Sequence, residues 1–169
     1  MENTKQVNMK QSIMEYVKVV VVTMILTYLV LYFIQISRVV GVSMQPTYNN
    51  GNIVLVNKKF YSYSDCHYGD IVVADVDFGS GKSEQIIKRV IGKAGDVISC
   101  KDGKMYRNGK LLKETYIAEK MEDEDWSTKV KKDSVFLMGD NRNNSADSRD
   151  LGSVNFKKHV VGRVFFKVF

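Results

Sequence analysis

An uninterrupted apolar run at residues 19–36 constrains this chain more than any other stretch. It contains no charged residue, and as an α-helix it would span about 27 Å, close to the thickness of a bilayer core. Because it is apolar on every face, it does not suit a helix packed on a soluble core. A cleaved signal peptide would have a shorter apolar segment, and Val39-Val40-Gly41 matches a cleavage site poorly. The run therefore predicts an uncleaved transmembrane helix.

The charges that flank the run predict how the chain is oriented. Lys5, Lys10 and Lys18 precede it, which favours a cytoplasmic N-terminus, although Arg38 on the other side reduces this bias. We therefore expect three parts, each long enough for its role. They are a cytoplasmic segment at 1–18, a transmembrane helix at 19–36 and an extracytoplasmic domain at 37–169.

Charge and metal-ligating residues exclude several classes of function. The net charge of +6 is mildly basic, which suits contact with anionic lipid. The basic residues are mixed with acidic ones and form no stripe of the kind that binds nucleic acid. Cys66 and Cys100 lack CxxC spacing, and His67 and His159 complete no ligand pattern. We expect two ordinary buried thiols, no metal site and no nucleic-acid partner, with a disulfide left open because sequence cannot test its geometry.

Short β-branched runs follow the anchor and predict a mainly β domain. They are apolar at consecutive positions, which favours strands buried on both faces of a closed or sandwiched sheet. Between them, residues 97–134 carry hairpin signals, Asp-Gly at 102–103 and Asn-Gly at 108–109, so we expect a small inserted β subdomain. Its acidic run at 122–125 is interpreted as a solvated loop. The predicted core strands are 52–57, 70–74, 85–91, 135–138 and 160–168.

Ser43, within Gly-Val-Ser-Met-Gln-Pro-Thr at 41–47, is the candidate nucleophile. A serine hydroxyl needs a neighbouring base to take its proton. Neither histidine lies in a recognisable catalytic context, although a Ser-His-Asp triad stays open because triads are spatial. Lys88 is the stronger candidate, since strand alternation puts it between Ile86 and Val90, where burial would lower its pKa. The alternative is a lysine that extends into solvent, as most strand lysines do.

A polar segment at 139–149 directly follows a predicted strand. A plain loop would explain its asparagine and glycine content. It would not explain so many small hydrogen-bonding groups with two arginines and three acidic residues in or beside them. Such a segment can orient a lysine amine and stabilise a site through Asp–Arg pairs.

Taken together, these stretches resemble the type I signal peptidases, the membrane-bound serine-lysine proteases that remove secretory signal peptides. The resemblance covers nearly the whole chain and rests on the single anchor followed by four motifs in the family's order. The short length and single anchor look like the Gram-positive type. The motifs are Ser-Met-Gln-Pro-Thr at 43–47, Gly-Asp-Ile-Val-Val at 69–73, Lys-Arg-Val-Ile-Gly-Lys-Ala-Gly-Asp at 88–96 and the segment 139–149.

The resemblance implies a fold and a role for the central residues. The expected fold is a signal-peptidase-like β-sheet or barrel core in which 97–134 is the variable insert. Ser43 would be the nucleophile and Lys88 the general base. Ser145 would hydrogen-bond the lysine amine. No metal or other cofactor is expected.

Five further residues receive supporting roles. Asp147 and Arg149 match ion-pairing positions of the family, and Asp140 is grouped with them. Met44, beside the nucleophile, is assigned to substrate binding. Gly41 stands where Gram-negative relatives carry a serine that helps the oxyanion hole, so only backbone donors are expected there.

We therefore expect a membrane-anchored endopeptidase that cleaves signal peptides from exported preproteins. The substrate would lie as an extended strand against an exposed sheet edge, with shallow pockets for small side chains. Membrane lipid and the protein export machinery are candidate partners. Two alternatives stay open: another Ser-Lys protease, such as the self-cleaving repressors, and a non-catalytic membrane-anchored module that binds preproteins.

Overall fold

The first element is an apolar helix. The computed structural model describes residues 9–169, except for the side chain of Lys10. Helix α1 comprises Met9–Phe33, and its stretch from Gln11 to Phe33 has a mean hydropathy of 2.0 with none of its most apolar part buried. A long apolar helix whose side chains are left uncovered suits one membrane span.

Both ends of α1 differ from the predicted span 19–36. Residues 9–18 are already helical, whereas 1–8 of the predicted cytoplasmic segment lie outside the described residues. The helix ends at Phe33 because Ile34–Arg38 form strand β1, which pairs antiparallel with strand β2, Ile53–Asn57. An apolar run alone does not distinguish the last turn of a helix from the start of a strand.

The domain after the helix is mainly β, as predicted, and its strands form two antiparallel sheets. Strand bounds differ from the predicted ones by one or two residues. The main sheet has the order β1-β2-β11-β3-β4-β9-β10 and the second sheet the order β7-β6-β5-β8. After β1 and β2, the strands are β3 (Ile71–Val76), β4 (Glu84–Lys93), β5 (Val97–Lys101), β6 (Lys104–Arg107), β7 (Lys110–Leu111), β8 (Trp126–Lys129), β9 (Ser134–Met138), β10 (Val154–Asn155) and β11 (Val160–Lys167).

The central strands of the main sheet are buried on both faces, which confirms the prediction from their continuous apolar pattern. In β3, Val72 and Ala74 belong to one hydrophobic cluster, whereas Val73 between them belongs to another. Every residue of β9 is buried. Burial on both sides fixes the register of β4, which lies between these two strands.

The second sheet forms a small inserted β subdomain, and its strand β5 starts at Val97. Asp102 and Gly103 join β5 to β6, and Asn108 and Gly109 join β6 to β7; all four residues have positive φ, as a two-residue type I′ turn requires. The subdomain packs on the main sheet through a shared cluster that includes Phe136. Its predicted limit of 134 is one residue too long, since β9 starts there.

Two other sequence features have clear outcomes. The acidic run 122–125 is not simply a solvated loop, because Asp123 forms an ion pair with Arg149 at 3.0 Å. Cys66 and Cys100 are free, buried thiols in different clusters, as expected of ordinary core cysteines. Burial raises the pKa of both thiols.

Candidate active site

Ser43 lies in the turn that joins β1 to β2. Gly41 opens the turn with a φ of 90°, a conformation that glycine adopts at little cost. Asn141 fixes the turn from across the molecule. Its backbone N–H donates to the Ser43 carbonyl at 3.0 Å, and its side-chain Nδ2 donates to the Val42 carbonyl at 3.2 Å. The nucleophile candidate is therefore tied to the polar loop 139–149.

Lys88 extends from β4, where it lies opposite Val72 of β3. Its Nζ is 2.8 Å from Ser43 Oγ, within hydrogen-bonding distance. Only 4% of the lysine is exposed, so it does not extend into solvent. The structure thus brings together the two residues that sequence reasoning selected as nucleophile and base.

The surroundings of Lys88 favour its neutral form. Burial in the protein interior is the main cause that holds the pKa of its ammonium below the ordinary value of 10.5. The charge of Arg149 lowers that pKa further, while the carboxylates of Asp147, Glu84 and Asp140 oppose the shift. A neutral amine at this distance can accept the proton of a serine hydroxyl.

Ser145 contacts a carboxylate rather than the lysine. Its Oγ donates to Asp147 Oδ2 at 2.8 Å, and the described residues contain no hydrogen bond between Ser145 and Lys88. Gly139 lies between the two serines, close enough that an added Cβ would lie 2.5 Å from the Ser43 carbonyl oxygen and 2.6 Å from Ser145 Cβ. Ser145 is thus a neighbour of the site, but its contact differs from the predicted one.

Asp147 and Arg149 form the predicted ion pair, with Arg149 Nε donating to Asp147 Oδ1 at 2.9 Å. Burial opposes ionisation of Asp147, but hydrogen bonds from Arg149, from the Gly139 N–H and from Ser145 outweigh it and lower its pKa. The carboxylate is therefore charged, and it holds the loop in one conformation beside Lys88.

Asp140 is grouped with Asp147 and Arg149 by the family resemblance, but in the structure Asp140 pairs with Arg89 instead. Its carboxylate accepts two hydrogen bonds from Arg89, from Nε at 2.8 Å and from Nη2 at 2.6 Å, and a third from the Thr47 hydroxyl. Asp140 therefore connects three parts of the site: strand β4, which carries Lys88, the polar loop 139–149, and the turn that contains Ser43 and Thr47. Sequence reasoning missed Arg89 and Thr47, although both lie inside motifs quoted above; the signal was their place next to Lys88 and at the end of Ser-Met-Gln-Pro-Thr.

The backbone N–H groups of Gly41 and Ser43 differ in whether they have an acceptor. The Gly41 N–H donates to Asn50 Oδ1 at 3.1 Å, whereas the Ser43 N–H has no acceptor among the described residues. A Cβ added at Gly41 would meet no atom within 4 Å, yet the positive φ there would strain any other residue. Of these two positions, Ser43 thus offers the free N–H.

A groove of about 380 Å³ leads to the two residues. One wall is residues 84–88 of β4, which pair with β3 on one side and, within the described chain, with no strand on the other. Residues 37–40, which form the end of edge strand β1 and the two positions after it, also line the groove. The buried side chain of Met44 also lines the groove, whereas neither histidine does.

The described residues hold no cluster of three or more His, Cys, Asp or Glu side chains that could bind a metal ion. Among the residues that line the groove, Ser43 supplies a hydroxyl and Lys88 an amine within hydrogen-bonding distance of it. A hydroxyl activated by a buried amine is a nucleophile suited to acyl transfer.

A family comparison and similar curated proteins both point to the same family. The signal peptidase family, peptidase S26, matches residues 13–169. Signal peptidase I P of Bacillus subtilis subsp. natto is 38% identical, over 94% of this chain and 90% of that protein. Signal peptidase I of Bacillus licheniformis is 35% identical over 100% of this chain and 95% of that protein.

The fold also resembles a solved structure. The crystal structure of a signal peptidase I from Enterococcus faecalis V583 aligns with a TM-score of 0.51 and 26% identity. The alignment covers 59% of this chain and 97% of that chain.

Proposed function

The chain belongs to the signal peptidase family, peptidase S26, and on that premise we propose that it is a membrane-anchored serine endopeptidase that removes signal peptides from exported preproteins. Two homologues that match this chain over 90% and 95% of their own length are named signal peptidase I P and signal peptidase I. Helix α1 supplies one apolar span. The observation that carries the proposal is the 2.8 Å approach of Lys88 Nζ to Ser43 Oγ, with the lysine buried.

In the proposed reaction, Ser43 Oγ attacks the carbonyl carbon of the scissile peptide while the neutral Lys88 amine takes the hydroxyl proton. The Ser43 N–H, free of other acceptors, stabilises the oxyanion that forms. The tetrahedral intermediate then breaks its C–N bond, and the Lys88 ammonium returns its proton to the departing amine. Water releases the acyl group from Ser43 with Lys88 again as the base.

The substrate would enter the groove as an extended segment. Among the described residues, no strand pairs with the second edge of residues 84–88, so the peptide can add to the sheet there through backbone hydrogen bonds. The groove is small, at about 380 Å³, and Met44, Val73 and Ile87 contribute to its lining. Such a space accepts an extended peptide with small side chains near the cut and excludes bulky ones.

Ser145, Asp147, Arg149 and Asp140 would support this site rather than react. Asp147 receives hydrogen bonds from Ser145 and Arg149, and Asp140 holds the nucleophile turn through its contact with Thr47. These contacts restrict the motion of the loop beside Lys88, and this keeps the Ser43 hydroxyl and the Lys88 amine at reacting distance.

The orientation and membrane contact are further parts of the proposal. Lysines before the span support a cytoplasmic N-terminus and an extracytoplasmic catalytic domain. Exposed aromatic residues of the domain support contact with lipid, since Phe60 stacks on Phe33 at the end of α1 with ring centres 4.8 Å apart. The export machinery that delivers preproteins is a candidate partner.

The test uses the purified full chain in detergent with a preprotein and sequences the new N-terminus. Wild type should give one cut after a small residue, and Ser43→Ala and Lys88→Ala should each abolish it. Circular dichroism should show both variants folded. Full processing by either folded variant would contradict the proposed pair.

A further inference from the structure

The segment between β7 and β8 of the inserted subdomain contacts the 139–149 loop. Glu114 forms an ion pair with Arg142, its Oε2 accepting from Arg142 Nη1 at 2.9 Å. Arg142 is only 1% exposed, so this is a buried charge that needs its partner. The Tyr116 hydroxyl donates to the same Glu114 carboxylate at 2.8 Å. Glu114 and Tyr116 therefore act on the loop as one unit.

Tyr116 also contacts the base strand. Its ring lies beneath the Arg89 guanidinium, with 4.0 Å between the Arg89 Cζ and the ring centre. A cation over an aromatic face at this distance is attracted, more so when partly buried. Arg89 also donates two hydrogen bonds to Asp140 of the 139–149 loop. Its guanidinium therefore contacts both Tyr116 and the loop.

Each of the two arginines, Arg89 and Arg142, lies one contact or one residue away from a group that holds Ser43 or Lys88 in place. Arg89 follows Lys88 in β4, and Arg142 Nε donates to the Gly139 carbonyl at 3.1 Å. Gly139 in turn lies against the Ser43 carbonyl. The inserted subdomain is thus connected to Ser43 by contacts that pass through Arg142, and to Lys88 by contacts that pass through Arg89.

We propose that Glu114 and Tyr116 are positioning residues, through which the inserted subdomain holds the 139–149 loop and β4 in register so that Ser43 and Lys88 stay in contact. The proposal rests on the proposed function. It attributes part of the rate of preprotein cleavage to a subdomain that contacts no reacting atom. Loss of the Tyr116 ring would let Arg89 and Asp140 shift, open the packing around Lys88 and admit water.

Effects on substrate binding and on the chemical step should separate. The groove is lined by residues 37–40, by Ser43, Met44 and Val73 and by residues 84–88, with none from the inserted subdomain. Loosening the loop should therefore lower kcat and leave KM nearly unchanged. Hydration of Lys88, which faces Asp147, Arg149, Glu84 and Asp140, should also raise its pKa toward the ordinary value.

The test compares Tyr116→Leu, which keeps apolar volume, with Tyr116→Phe, which keeps the ring. Tyr106→Leu is the matched control, because Tyr106 lies in the same subdomain and has no hydrogen bond or cation–π contact with the loop among the described residues. Preprotein processing by the full chain gives kcat and KM per folded molecule. Lysine resonances followed by NMR against pH, assigned with Lys88→Ala, give the Lys88 titration without any substrate.

Tyr116→Leu should lower kcat by about tenfold or more, change KM less than about twofold and move the Lys88 titration to higher pH. Tyr116→Phe should stay within about threefold of wild type because the ring still covers Arg89. Glu114→Gln keeps the size of the side chain but removes the charge opposite Arg142. It should change kcat and the Lys88 titration in the same direction, and it carries the test if Tyr116→Leu does not fold.

Wild-type kcat and Lys88 titration in folded Tyr116→Leu, or an equal change in Tyr106→Leu, would overturn the proposal. Failure of the wild type to cut any preprotein would instead refute the proposed function. The NMR titration would still decide whether Tyr116 positions Lys88.

Discussion

Replacing Gly139 with alanine would insert a methyl group between the nucleophile and the polar loop. The new Cβ would lie 2.5 Å from the Ser43 carbonyl oxygen and 2.6 Å from Ser145 Cβ. Non-bonded heavy atoms prefer a separation of about 3.5–4.0 Å, so the neighbours must retreat by about 1 Å. Gly139 has no positive φ, so the effect is steric and not one of backbone strain.

Neither neighbour can move without breaking a contact. The Ser43 carbonyl accepts from Asn141 N–H, and Ser145 Oγ donates to Asp147. Overpacking of this kind costs about 1–3 kcal/mol of unfolding free energy. A shift of about 1 Å in the Ser43 turn should disturb its 2.8 Å approach to Lys88 and lower kcat about 100-fold.

The assay is preprotein processing by Gly139→Ala, with kcat expressed per folded molecule. Gly92→Ala is the control, since its Cβ would also clash, 2.7 Å from Ile98 Cδ1, but in the core between the sheets. We expect the control to lose stability and keep its kcat. A folded Gly139→Ala with wild-type kcat would refute the reasoning.

Two other substitutions test the supporting contacts. Ser145→Ala removes one hydrogen bond to the Asp147 carboxylate, which should loosen the loop beside Lys88 and misplace the reacting groups, so kcat should fall about tenfold. An unchanged kcat would show that Ser145 has no role. Asp140→Ala leaves the Arg89 guanidinium without its carboxylate and should lower the free energy of unfolding by about 3 kcal/mol. Urea unfolding measures this, and a loss below about 1 kcal/mol would mean that other contacts compensate.

Local patterns in the sequence predicted much of the fold. Continuous apolar runs correctly identified the central strands, because burial on both faces leaves no polar alternation. Asp-Gly at 102–103 and Asn-Gly at 108–109 correctly identified two turns, because few residues tolerate the positive φ found there. The end of α1 was misplaced, since Ile34 and Ile36 are as apolar in β1 as they would be in a helix.

The site was less predictable from local patterns. Strand alternation favoured Lys88 as the base and the resemblance to a family strengthened that choice, because an apolar strand alone does not reveal whether its lysine is covered. The contacts of Asp140 with Arg89 and of Glu114 with Arg142 join residues 51 and 28 positions apart. The first pair depends on the pairing of β4 with β9 and the second on how the subdomain packs on the main sheet, and no periodicity in the sequence records either arrangement.

The pH dependence of preprotein processing tests most directly whether buried Lys88 is the base. Only the neutral amine can take the Ser43 proton, so kcat/KM should rise with pH as Lys88 loses its proton. Because burial lowers the pKa of Lys88 below 10.5, the midpoint should lie clearly below that value. A rate that is flat from acid to alkaline pH, or a midpoint at 10.5, would contradict a buried neutral lysine as the base.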